Sequence, residues 1–172
     1  MRRYELAARY ASGRVLDAAC GCGYGSSILR EVAPEVVGVD IELEAIEWAL
    51  KYFPGEYIVG GLGSAPWTGS FETIVSFETL EHLKDPRIAL KAFREACTGS
   101  LIASVPNELR YPFSVERFAG DKYPHQRHYT PEQFEELLDS CGFAVMEYFC
   151  QKDKRGEIFG GVDGMFMIVV CE

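Results

Sequence analysis

An acid stands four residues ahead of three alternate glycines in Asp17-Ala18-Ala19-Cys20-Gly21-Cys22-Gly23-Tyr24-Gly25. Glycines so placed let a ligand approach the backbone, and the helix opening at Tyr24 points free N–H groups at it. A pyrophosphate-binding turn is spaced G-x-G-x-x-G and needs no acid ahead of it. This turn is spaced G-x-G-x-G, and a carboxylate at a pyrophosphate site would repel the ligand. Asp17 suits a ligand with positive charge, an ammonium or a sulfonium. As a bare structural turn, the stretch would use Asp17 only as a capping acid.

A second group of residues suits acid–base chemistry. Glu81-His82 follows an apolar run, and a carboxylate beside an imidazole can fix its tautomer for proton transfer. A hydrogen-bonded structural pair holding the strand end is the other use. His125 closes a long irregular segment and is a candidate base, like His82, because imidazole titrates near neutrality. His128 reads equally as a solvated loop histidine. Cys20, Cys22, Cys97, Cys141, Cys150 and Cys171 form no C-x-x-C pair, and the histidines are not spaced as zinc partners. No metal site is expected from this spacing, and six cysteines used as small apolar residues fit a reducing cytoplasm.

These residues need a sheet to hold them. Apolar runs at about 14–18, 35–40, 57–59, 71–77 and 100–105 predict buried parallel strands. Between them, helical spacing predicts helices over about 24–32, 41–52 and 86–96, after a short opening helix over 3–10. The apolar stripe of 41–52 is Leu43, Ile46, Ala49 and Leu50. Thr130-Pro131-Glu132-Gln133 is a capping box opening a helix that ends at Cys141-Gly142. Runs over 143–149 and 165–171, joined without a helix, predict an antiparallel pair. The order is that of an α/β, Rossmann-like doubly wound sheet of seven strands with the last one antiparallel. The segment 108–128 is aromatic and aperiodic, too long for an idle loop, and is expected to cover the substrate.

At 172 residues the chain fits one domain, 1–172, with 48% hydrophobic residues. A net charge of −9 with scattered basic residues argues against nucleic acid as a partner. No apolar run is long enough to span a membrane, and no signal peptide is read ahead of the first strand. Neither charge nor motif assigns an oligomeric state.

Five stretches in order resemble the class I S-adenosylmethionine-dependent methyltransferases. They are Val15 to Ser26; Val37-Gly38-Val39-Asp40; Val75 to Leu83; Ser104-Val105-Pro106-Asn107; and His125-Gln126-Arg127-His128-Tyr129-Thr130. The broad bacterial and phage group often found beside polysaccharide-synthesis genes is the most similar. The resemblance implies S-adenosylmethionine as cofactor and a small-molecule or sugar-containing acceptor, methylated on oxygen or nitrogen. It implies that Asp17, Gly21, Cys22, Gly23 and Tyr24 meet the methionine portion, and that Asp40 accepts from the ribose hydroxyls. Ile41 would pack on adenine, and Phe77 and Glu78 would offer backbone carbonyls to the ammonium. The family usually carries an acid near the adenine amino group. Here Gly60-Gly61-Leu62-Gly63 stands there, so backbone at Gly61 and Leu62, or Trp67, would make that contact. About a dozen residues precede the first strand, a shorter lead-in than is usual for the family.

Two other functions fit parts of the pattern. A degenerate domain holding S-adenosylmethionine without turnover fits the missing acid and the short lead-in. A nicotinamide-dependent oxidoreductase fits a glycine turn, but not this glycine spacing or Asp17.

Overall fold

The computed structural model describes residues 2–172. Its centre is a set of parallel strands, Arg14–Ala18 (β1), Glu35–Asp40 (β2), Glu56–Val59 (β3), Phe71–Phe77 (β4) and Cys97–Pro106 (β5). Helices Arg2–Ala7 (α1), Tyr24–Leu29 (α2), Leu43–Tyr52 (α3), Pro86–Ala96 (α4), Val115–Phe118 (α5) and Pro131–Asp139 (α6) surround it. Val145–Gln151 (β6), Ile158–Gly160 (β7) and Phe166–Cys171 (β8) complete one eight-stranded sheet, in the order β3-β2-β1-β4-β5-β8-β6-β7.

β8 lies between β5 and β6 and is antiparallel to both. The expected count of seven strands is corrected to eight by β7, which pairs only with the end of β6. Three residues ending in glycine are too short to show a period of two. β7 also runs against β6, so two strands are reversed rather than one.

Alternation along each strand builds the core on both faces of the sheet. Leu16, Val37, Ile74, Leu101, Met167 and Val169 point to the face covered by α4 and α6, with Leu90, Phe93, Phe134 and Leu138. Val15, Val36, Val75, Ile102, Ile168 and Val170 point to the other, with Tyr4, Leu6 and Leu29. Asp85 caps α4 by accepting from the Arg87 N–H, and Thr130 and Gln133 form the expected capping box on α6. In α3 only Ile46 and Ala49 are buried, whereas Leu43 and Leu50 of the expected stripe are exposed. β3 is the sheet's edge, and beyond it no strand remains to cover that side of the helix. No described helix is long and apolar enough to cross a membrane.

Candidate functional site

The strand order reverses between β1 and β4, and there the carboxyl ends of an open sheet leave a crevice. At this point two non-glycine residues take left-handed backbone, Ala19 after β1 at φ 66° and Glu78 after β4 at φ 51°. Such strain costs on the order of 1–3 kcal/mol per residue and persists where the surroundings impose it, commonly at ligand sites. Ala19 is held by N–H donation to the Val39 carbonyl, and Glu78 by donation to Ser104. Three hollows converge on Glu78.

The first hollow, of 320 Å³, is lined by the glycine turn from Ala19 to Cys22, by Tyr24 and Phe77, and by Arg3 and Tyr4 of α1. The glycines divide the work. Gly21 has φ 53° and open space where a side chain would stand, so its bare face looks into the hollow. A Cβ on Gly23 would lie 2.5 Å from the Tyr57 hydroxyl and 2.7 Å from Ala49. Gly23 therefore makes room for packing under the turn, and it does not line the hollow. A Cβ on Gly25 would lie 2.1 Å from the Tyr4 ring, so this glycine lets α1 close over the turn.

Asp17 is fully buried. One carboxylate oxygen accepts from Tyr4 Oη at 2.9 Å and the other from Ser26 Oγ at 2.6 Å. Burial pushes its pKa up to about 6, against the lowering effect of those two hydroxyls. Its side chain ties α1 to α2 behind the turn and does not line the hollow.

The second hollow, of 420 Å³, lies at the end of β2. It is lined by Asp40, Ile41, Glu42, the Gly60–Gly63 backbone, Leu62, His82 and Tyr123. Asp40 accepts from the Gly21 N–H at 2.8 Å and from the Glu42 N–H at 2.9 Å, one on each oxygen. A carboxylate has about four acceptor positions, so two remain for hydroxyls of a ligand. Ile41 is exposed and lines this hollow. Trp67 is buried against Phe93 and does not reach this hollow. Gly61 and Leu62 line this hollow, and Trp67 does not, because Trp67 is part of the core.

The third hollow, of 320 Å³, is lined by Arg3, Glu78, Tyr111, Phe118, His125, Lys154 and Phe166. Glu78 accepts from Ser104 Oγ at 2.9 Å and pairs with Arg3 at 3.4 Å. Burial raises its pKa, opposed by the Arg3 charge. Segment 108–128 crosses above, with α5 as its only helix. Lys122 and Tyr123 both reach Glu42 at the far side of the second hollow, and Gln126 N–H donates to the Glu81 carbonyl at 2.7 Å.

Under this strap the histidines meet. The His82 and His125 rings lie 4.5 Å apart, and His125 stacks on Phe118 at 3.9 Å. His128 Nδ1 is 2.5 Å from the Tyr111 carbonyl, so it must carry the proton and donate. His128 Nε2 is then an acceptor, and His125 Nδ1, 2.8 Å away, donates to it. His125 keeps Nε2 as its bare nitrogen. By the same logic His82 Nδ1 donates to the Tyr123 carbonyl at 2.8 Å and leaves its own Nε2 bare. Burial, with His82 and His128 beside it, holds the pKa of His125 down to about 4. Glu81 is fully buried, and burial followed by the Glu78 charge raises its pKa well above the ordinary range. The grouping of Glu81 and His82 with His125 is invisible to spacing, because His125 stands 43 positions after His82.

The profile of the methyltransferase-domain family matches residues 2–148. This chain belongs to the methyltransferase-domain family. A probable S-adenosylmethionine-dependent methyltransferase of Mycolicibacterium smegmatis is 33% identical over 84% of this chain and 59% of its own length. A ubiquinone biosynthesis O-methyltransferase of Xanthomonas oryzae is 30% identical over 61% of this chain and 48% of its own. The chain thus spans about half the length of the curated relatives it matches. In fold, a solved Thermotoga maritima methyltransferase, described as a possible histamine N-methyltransferase, superposes with a TM-score of 0.81. It is 18% identical, and the match covers 99% of this chain and 86% of that one. S-adenosylmethionine is the cofactor of this methyltransferase family, and the open face of Gly21 and the spare acceptor positions of Asp40 fit it.

Proposed function

We propose that this chain transfers the methyl group of S-adenosylmethionine to a hydroxyl on a small-molecule or sugar-containing acceptor. When bound, the cofactor would supply an electrophilic methyl for the acceptor oxygen's electron pair, the carbon–sulfur bond breaking with its pair left on sulfur. The first hollow receives the methionine portion against Gly21 and Cys22, with Tyr24 and Phe77 as walls and the Glu78 turn near the ammonium. The second receives the nucleoside, Asp40 accepting from the ribose and Ile41 and Leu62 covering the base. The acceptor lies in the third hollow, under the strap.

The observation that carries the choice of oxygen is the bare Nε2 of His125, fixed by the chain of donors back to Tyr111. A hydroxyl must lose its proton during attack, whereas a neutral amine need not. The hydroxyl becomes acidic as its bond to carbon forms, so a neutral imidazole takes the proton late, with His128 hydrogen-bonded behind His125 and with His82 and Glu81 beside it as further candidates. Arg3 and Lys154 line the same hollow and favour an acceptor with an acidic or phenolic group. Alignment and exclusion of water supply most of the remaining rate.

The test is release of labelled methyl groups onto a panel of sugars, phenols and amines. Transfer to hydroxyls, with His125→Ala lowering kcat by roughly 10²–10⁴ and leaving S-adenosylhomocysteine affinity intact, is the expected result. Transfer to amines alone, unaffected by His125→Ala, would reject the oxygen acceptor.

A further inference from the structure

We propose that Glu81, His82 and His125 form a binding site for one divalent transition-metal ion at the acceptor end of the crevice. This rests on the third hollow, which His125 lines, being the acceptor's; His82 lines the second hollow. One ligand atom from each residue lies within 4.8 Å of the other two. The arrangement answers a problem that the protein alone leaves open. Glu81 is completely buried, and neither carboxylate oxygen has a hydrogen-bond partner among the described residues. A buried carboxylate in that condition is costly. Protonation relieves only the charge, since the new O–H also lacks an acceptor. An ion bound to one oxygen supplies a direct partner for it and neutralises the charge.

The two histidines are prepared in the way metal-binding imidazoles are. Each donates Nδ1–H outward, His82 to the Tyr123 carbonyl and His125 to His128, which is itself anchored on Tyr111. Outer partners of this kind fix the tautomer and ring orientation of a ligand histidine. His82 Nε2 lies 4.0 Å from Glu81 Oε1, too far for a hydrogen bond. Bonds of about 2.0–2.2 Å to one ion put two ligands about 3–4 Å apart, so this gap is the span an ion bridges. Glu78 is engaged by Arg3 and Ser104 and is not a free ligand. Two imidazoles and one carboxylate suit zinc, iron, cobalt or manganese better than magnesium, which prefers oxygen. Three protein ligands leave positions open for an acceptor hydroxyl. Ion binding would replace the base role that His125 has in the ion-free site, because the same Nε2 becomes a ligand. The ion lowers the hydroxyl's pKa, and the proton leaves to water before the oxygen attacks the methyl carbon.

Chelator-stripped protein titrated with Co²⁺ tests the site, because cobalt absorption distinguishes nitrogen and oxygen ligands from thiolates. One saturable equivalent is expected, with a visible nitrogen–oxygen spectrum and no thiolate charge-transfer band. Glu81→Gln and His125→Asn should each weaken Co²⁺ binding at least about tenfold. Glu81→Gln is the sharper variant, since the amide mimics a neutral carboxyl and should fold as well as the parent. S-adenosylhomocysteine calorimetry on the same samples reports the fold and the donor site independently. Absent Co²⁺ binding, a thiolate spectrum, or unchanged affinity in Glu81→Gln, with S-adenosylhomocysteine still bound, would overturn the ion site alone. Loss of S-adenosylhomocysteine binding by the parent protein would overturn the donor reading instead.

Discussion

The two strand-end acids do different work, and each gives a measurable consequence. Asp40 meets the second hollow and holds the turn through Gly21. Asp40→Ala should weaken S-adenosylhomocysteine binding by about 1–3 kcal/mol, read by calorimetry, as a polar partner is lost. Unchanged affinity would reduce Asp40 to a turn residue. Asp17 is sealed away, and its pKa is raised from 3.8 to about 6. The folded state therefore holds the proton more tightly than the unfolded chain. Asp17's contribution is fully present below about pH 4 and is lost as pH rises through about 6. Relative to Asp17→Asn, the parent should lose about 2 kcal/mol of unfolding free energy between pH 4 and pH 7. Urea denaturation of both proteins across that window checks it, and a pH-independent difference would mean that Asp17 stays ionised throughout.

At the scale of elements, the strap 108–128 and α1 are the parts that enclose the crevice. The strap is fastened at its far side by Lys122 and Tyr123 on Glu42. Glu42→Ala should speed hydrogen exchange around 119–126 and raise KM for the acceptor, with little change in melting temperature. Unaltered exchange there would show that Glu42 does not hold the strap. Much of this level is legible in the sequence. The Asp17-to-Gly25 turn, the Asp40 strand end and the Thr130 capping box depend on local spacing, and they stand where it puts them. The strap's position could be inferred only from its length. The tautomers of His82 and His125 depend on the carbonyls of Tyr123 and Tyr111, which spacing does not locate. The side of the turn that each glycine faces is equally a matter of what packs behind it. Gly23 and Gly25 look alike in sequence, yet one faces Tyr57 and the other Tyr4. The exposed Leu43 and Leu50 carry helical spacing without a partner, since pattern cannot tell an edge helix from a central one.

At the scale of the whole molecule, the sheet is a rigid frame whose central strands end at a single crevice. β8 seals it on one side, with every residue from Phe166 to Cys171 buried between β5 and β6. Ile168 is completely buried among Val75, Ile102 and the α1 residues. Ile168→Ala should cost about 2–5 kcal/mol of unfolding free energy while leaving the crevice residues in place. A loss much below that range would show a loosely packed second face. On the proposed reading, the crevice between β1 and β4 receives the methyl donor against the open face of Gly21. Calorimetric titration of S-adenosylhomocysteine into the parent protein and Gly21→Val tests this most directly, with circular dichroism confirming that both are folded. One equivalent bound by the parent and none detectable for Gly21→Val is the expected result. Equal binding by both proteins, or none by the folded parent, would contradict it.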